Sequence, residues 1–143
     1  MVSDEAKKIV GDNLGEGGTR LLESGKYGEV SEKLWSRVGE AKKFFPKKEW
    51  YGGVSYSGAL IWVGEDYARK GDYESAIGYF EKVTKEDPKR EKAWENLAMA
   101  LICEGFRKKD AACFERALEL KLSKDAENLV SLGLVSLELG EEK

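Results

Sequence analysis

Residues 60–80 read Leu60-Ile61-Trp62-Val63-Gly64-Glu65-Asp66-Tyr67-Ala68-Arg69-Lys70-Gly71-Asp72-Tyr73-Glu74-Ser75-Ala76-Ile77-Gly78-Tyr79-Phe80, and the segment continues through Val83 to Pro88. Leu60, Val63, Gly64 and Tyr67 recur at i, i+3, i+4 and i+7, the spacing of one helical face. Gly71-Asp72-Tyr73 then breaks the pattern, as a glycine just past a helix end does. Ala76, Phe80 and Val83 make a second face, and Pro88 disfavours α geometry in the residue before it. The segment predicts two antiparallel helices of roughly 14 residues each, an ordinary length. The small Gly64 and Ala76 are expected to face each other, with Tyr67 and Phe80 filling the space beside them. Neither helix hides its apolar stripe alone, so stacked neighbours are required.

The same punctuation recurs along the chain. Gly25-Lys26-Tyr27, Gly71-Asp72-Tyr73, Glu104-Gly105-Phe106 and Leu139-Gly140 each follow an apolar helical pattern and read as turns. Gly71 to Gly105 is 34 residues, Gly105 to Gly140 is 35, and Gly25 to Gly71 is 46, which is 34 with an insertion of 12. A fixed period of this size is the signature of a repeat architecture.

Leu60-x-x-Val63-Gly64-x-x-Tyr67, Gly71-Asp72-Tyr73, Ala76-x-x-x-Phe80 and Pro88 together resemble the tetratricopeptide repeat, with Leu60 and Val63 replacing its leading Trp and following Leu. The next unit, Glu91 to Lys124, has Trp94, Leu97, Ala98, Leu101, Gly105, Phe114 and Ala117 in the corresponding columns. It departs from the pattern at Asp110, where a small residue belongs, and at Leu122, where Pro does. Ala126 to Gly140 resembles a closing first helix through Leu129, Leu132 and Gly133, with Ser123 or Asp125 as its cap. The N-terminal unit fits through Leu14, Gly18, Leu21, Gly25 and Tyr27, followed by Val30 and Leu34. Its second helix continues through Trp35, Val38, Ala41 and Phe45 to Pro46. The expected fold is all-α: one domain over 1–143, a helical-repeat solenoid of antiparallel helix pairs with about three and a half repeats. Its parts are a degenerate repeat (4–46), a Gly-rich linker carrying Trp50 and Tyr51 (47–56), two repeats (57–90 and 91–124) and a closing helix (125–140).

Composition restricts the chemistry. The chain has 24 basic and 27 acidic residues and a net charge of −3, so no global positive field draws it to nucleic acid. It contains no His and no Gln, and three Asn; this depletion beside abundant Lys and Glu is a hyperthermophile pattern. Without His, the commonest general base and metal ligand is missing, and Ser-His-Asp and Cys-His arrangements are excluded. Carboxylate pairs such as Glu91/Glu95 and Glu115/Glu119 read as solvated helix faces. Gly11 to Gly18 and Gly52 to Gly58 lack the Lys-Ser/Thr ending of a phosphate loop. Lys42-Lys43 with Lys47-Lys48, and Arg107-Lys108-Lys109, read as ordinary helix ends because acidic residues stand beside them. Cys103 and Cys113 flank the Gly105 turn and are expected as two buried reduced thiols, a disulfide across the hairpin being the alternative. No apolar run approaches the ~20 residues of a membrane span, and the charged N-terminus lacks a signal-peptide core. A cytoplasmic location is expected.

These features predict no enzyme, no cofactor and no metal. The resemblance implies a protein-binding scaffold whose first helices line a concave groove. Carrying its groove columns over gives Ile61, Glu65 and Ala68, then Glu95, Met99 and Ile102, then Val130, Leu134 and Leu137; Trp62, outside the core columns, is expected exposed at a contact. The clamp that some members close on acidic chaperone tails is absent, since only Lys92 and Asn96 would suit it. On the closing helix, Leu129, Leu132, Val135 and Leu139 form one apolar arc, expected to pack on the helix before it. Val130, Leu134 and Leu137 form a second, expected to line a hydrophobic groove with Met99 and Ile102. Its occupant would be an apolar or amphipathic helix from a protein partner, a second copy, or the chain's own N-terminal segment. Two other readings are a structural homo-oligomer and an accessory nucleotide- or RNA-binding bundle without catalysis. The last rests on a faint resemblance, around Lys33-Leu34-Trp35, to archaeal nucleotide-binding helical bundles, whose ribonucleases use a His that this chain lacks.

Overall fold

The computed structural model describes residues 2–45 and 55–141. They form α1 (Asp4–Glu23), α2 (Tyr27–Val38), a 3-10 segment (Gly39–Phe44), α3 (Tyr56–Arg69), α4 (Tyr73–Glu86), α5 (Glu91–Lys108), α6 (Ala111–Leu118) and α7 (Lys124–Glu141). No strand occurs among the described residues. Most of the expected linker, with Pro46, Trp50 and Tyr51, lies outside them; its last residue, Tyr56, already opens α3.

Side chains fix where these helices begin. Ser55 accepts from the Gly58 amide at 3.1 Å, Asp72 from Ser75 at 3.2 Å, Asp110 from Ala112 at 3.0 Å and Ser123 from Ala126 at 3.1 Å. Each satisfies one of the orphan donors of a first helical turn, worth about 1 kcal/mol per cap. Gly25 and Gly71 turn the chain with φ of 74° and 88°, as expected. Gly105 and Gly140 do not. Both lie inside helices, and the second hairpin turns at Lys109, in the left-handed region with φ 52°. Asp110 is therefore no defect in a repeat column but the cap of α6. Moving the turn lengthens α5 to 18 residues against 14 in α3, and α6 keeps only 8 against 14 in α4.

Packing inside the first hairpin rests on Gly64, which seats the Phe80 ring. A Cβ on Gly64 would lie 2.5 Å from the Phe80 ring, which has no solvent exposure. In the second hairpin Phe114 does the same work at two glycines. A Cβ at Gly105 would meet its ring at 2.9 Å and one at Gly133 at 2.5 Å. Phe114 thus joins α5, α6 and α7 in one contact, and its seat on Gly133 fixes the rotation of α7.

The N-terminal hairpin departs from a simple end-to-end stack. α1, interrupted at Gly15 (φ 67°), and α2 fold back so that α2 lies along α7, while the 3-10 segment crosses α5. Ser31 and Ser136 bind reciprocally there: each hydroxyl donates to the other's carbonyl oxygen, at 3.0 and 2.9 Å. α1 adds Ser3 to Glu138 at 3.0 Å, and the Asn128 amide donates to Asn13 at 3.1 Å. The antiparallel helix pairs stand as expected; their order in space closes the chain on itself.

Candidate functional site

α5 and α7 pack against each other, and α2 lies along α7 while the 3-10 segment crosses α5, so the two together cover one α5–α7 face. Val30, Leu34, Val38, Ala41 and Phe45 form the stripe of this segment, each at most 3% exposed. Fully burying a Val or Leu side chain contributes about 1.5–3 kcal/mol, so this stripe is a major part of the core. Its polar edge is tied by aromatic contacts. Trp35 meets Phe106 edge-on at 5.9 Å and Phe114 at 6.0 Å, and Phe45 stacks on Phe80 at 6.1 Å. Gly39 admits Phe106, whose ring would stand 3.0 Å from a Cβ there.

Cations finish the rim. The Lys92 ammonium lies 4.7 Å from the centre of the Phe44 ring. Lys109 sits over both Trp35 and Phe106, at 4.1 and 4.0 Å, and donates to the Phe106 carbonyl at 3.0 Å. Burial holds its ammonium below the ordinary lysine range. Arg107 and Lys108 both pair with the buried Glu104, at 2.7 and 3.6 Å. The basic run 107–109 is therefore engaged within the chain.

The expected groove residues are divided by this arrangement. Met99 is 8% exposed and Ile102 and Val130 are fully covered, so with Leu134 and Leu137 half-buried they form no open channel. Gly133 faces Phe114 of α6, with Val130 and Leu137 one turn to either side of it, and Ser136 meets Ser31, so α2 reaches α7 beside Leu132 and Leu139. Ile61 belongs to a small separate core with Val83 and Ala93. Trp62 is half-buried and not exposed, and Glu65 is buried beside it on α3. The sequence reading placed Phe106 in a turn and gave Ser136 no role; a small residue one turn after Gly133 was the available signal for close helix approach.

Cys103 and Cys113 are both free thiols. Cys103 is buried against Tyr73, and Cys113 is half-buried in a shallow cleft with Glu74, Glu81 and Arg116, so they are neither paired nor both buried. Among the described residues no helix is long and apolar enough to cross a membrane.

The tetratricopeptide repeat family model matches residues 57–90. No curated protein and no solved structure matches the chain. The matched segment is α3, its glycine turn and α4 through Pro88, the hairpin in which Gly64 seats Phe80. Residues 57–90 match the tetratricopeptide repeat model, and the described residues form an all-α chain of packed helix pairs that includes this hairpin.

Proposed function

We propose that the chain is a non-catalytic protein-interaction scaffold whose working surface is the α5–α7 face, and that its ligand is an amphipathic helical segment. The repeat supports the general role in protein interaction. The single observation that carries the finer reading is the occupant already there. An amphipathic helix of 12 residues, α2, lies along this face with one apolar stripe inward and Glu32, Lys33 and Arg37 outward. A surface shaped to accept one such helix can accept another of the same pattern, in the helix-in-groove mode of recognition.

Photo-crosslinking in the source organism tests this. A crosslinker replacing Lys92, on the rim of the face, is expected to capture a protein partner, and excess synthetic peptide of residues 26–45 should suppress the capture. A crosslinker replacing Gly78, exposed on α4, is the control. Partners captured from position 78 and none from position 92 would place the working surface elsewhere.

A further inference from the structure

The cover formed by α1, α2 and the 3-10 segment fits the α5–α7 face well except at one place. Asn96 has no solvent exposure, and neither its amide nitrogen nor its carbonyl oxygen has a hydrogen-bonding partner. It stands one turn after Lys92, which lies over Phe44, and one turn before Met99 and Ala100. Ala93, at i−3, packs with Ile61 and Val83, so Asn96 stands where the α3–α4 side of α5 borders the side that the 3-10 segment crosses. Native proteins rarely leave a buried polar group unpaired, and each instance calls for an explanation.

The cover itself is irregular where it meets this spot. The α-helix gives way at Gly39 to six residues of 3-10 turns, longer than such runs usually are. α1 behind it is broken at Gly15, and the hydrogen bonds tying α1 to α7 lie at the surface. The apolar stripe is matched and the amide is not. An unpaired buried amide disfavours the covered state, relative to one in which Asn96 finds a partner, by about 5–150-fold.

We propose that the N-terminal arm, α1 through Phe44, is a displaceable cover of the α5–α7 face. The segment that displaces it is a partner's amphipathic helix carrying an amide side chain opposite Asn96. The helix follows from the occupant the face now holds, and the amide from Asn96, which has both a donor and an acceptor to satisfy. The inference rests on the reading of this face as the binding surface.

Hydrogen exchange on the full chain tests the cover without any partner. Amides of residues 27–38 are expected to exchange through an opening that leaves α4 and α5 protected. Asn96→Leu, which has no amide to leave unpaired, should slow that opening about 5–150-fold relative to α4. Exchange of α2 only together with α4 and α5, at a ratio unchanged by Asn96→Leu, would overturn the cover. Binding of labelled peptide 26–45 tests the face separately. Leu34→Asp, or the milder Val38→Thr if that chain does not fold, loosens the arm and should bind the peptide. A loosened arm with no binding overturns the reading of the face itself. In a series with glutamine at position 38, 41 or 45 of the peptide, at least one member should bind more tightly than the parent. It should lose the advantage against a chain that also carries Asn96→Leu; a series with no such member removes the amide from the proposal.

Discussion

Replacing Gly133 by alanine sets two effects of opposite sign against each other at a position that orients α7. Inside a helix, alanine is favoured over glycine by about 1 kcal/mol. At Gly133 the added Cβ would stand 2.5 Å from the ring of Phe114, which is fully buried and is also seated on Gly105 of α5. Overpacking of this kind costs about 1–3 kcal/mol, so Gly133→Ala should be destabilising by about 0–2 kcal/mol. Gly78→Ala supplies the reference, because that glycine is exposed in the middle of α4 with no atom within 4 Å of its Cβ position. It should stabilise by about 1 kcal/mol. The two alanines are thus expected to differ by about 1–3 kcal/mol in urea unfolding followed by far-UV circular dichroism. Phe114→Leu in the Gly133→Ala background should relieve the clash, giving a favourable coupling of about 0.5–3 kcal/mol in the double-mutant cycle. Equal stabilisation by both alanines would refute the seating of Phe114 on Gly133, and with it the rotation assigned to α7.

The thiols are expected to separate in a labelling experiment. Half-buried Cys113 should react in the native protein, and Cys103, 3% exposed, should react only after unfolding. Burial pushes the Cys103 thiol up to about 12 from an ordinary 9.0. The folded state therefore holds that proton more tightly than the unfolded state. Its stability contribution is complete below about pH 9 and is lost toward pH 12, at up to about 1.4 kcal/mol per pH unit. Tyr73, raised from 10.0 to about 12 chiefly by burial, adds to the upper part of that range. Cys103→Ala should flatten the decline of stability between pH 9 and 10 measured by urea titration. Ser31→Ala removes one of the two reciprocal hydroxyl bonds to α7 and should cost about 0.5–1.5 kcal/mol, read as an unfolding midpoint shift.

The first hairpin was legible because its signals are local. Gly71 supplies the positive φ, Asp72 caps α4, and Gly64 and Phe80 lie within one repeat. The second hairpin misled for an identifiable reason. α5 gains a turn of helix and α6 loses more than one, so the 34-residue spacing survives while Gly105 moves from the turn into the helix. Asp110 departs from the repeat column because it serves the capping chemistry of α6, accepting from the Ala112 amide. On α7 the wheel separates two apolar arcs but cannot say which neighbour each one meets. That choice is made by the missing Cβ of Gly133 beneath Phe114, 19 positions earlier. The return of α2 to α7 rests on Ser31 and Ser136, 105 residues apart, a pairing that no periodicity encodes. Of the residues expected to line a groove, Ile102 and Val130 are fully covered and Met99 nearly so, while α2 reaches α7 beside Ser136.

α2 closes the stack by docking on α7, and a cross-link between the two helices reports on that contact. With Cys103 and Cys113 replaced by alanine, Ser31→Cys and Ser136→Cys would stand where the two hydroxyls now reach each other's carbonyls at 3.0 and 2.9 Å. Mild oxidation of the folded monomer should join them within one chain, visible as a mass two hydrogens lower and a 106-residue span closed in the peptide map. A pair on α2 and α3, Ser31→Cys with Trp62→Cys, should remain reduced under the same conditions. The contradicting result is the reverse: no bond between positions 31 and 136 in a cooperatively folded protein, and ready oxidation between positions 31 and 62, as an end-to-end stack would give.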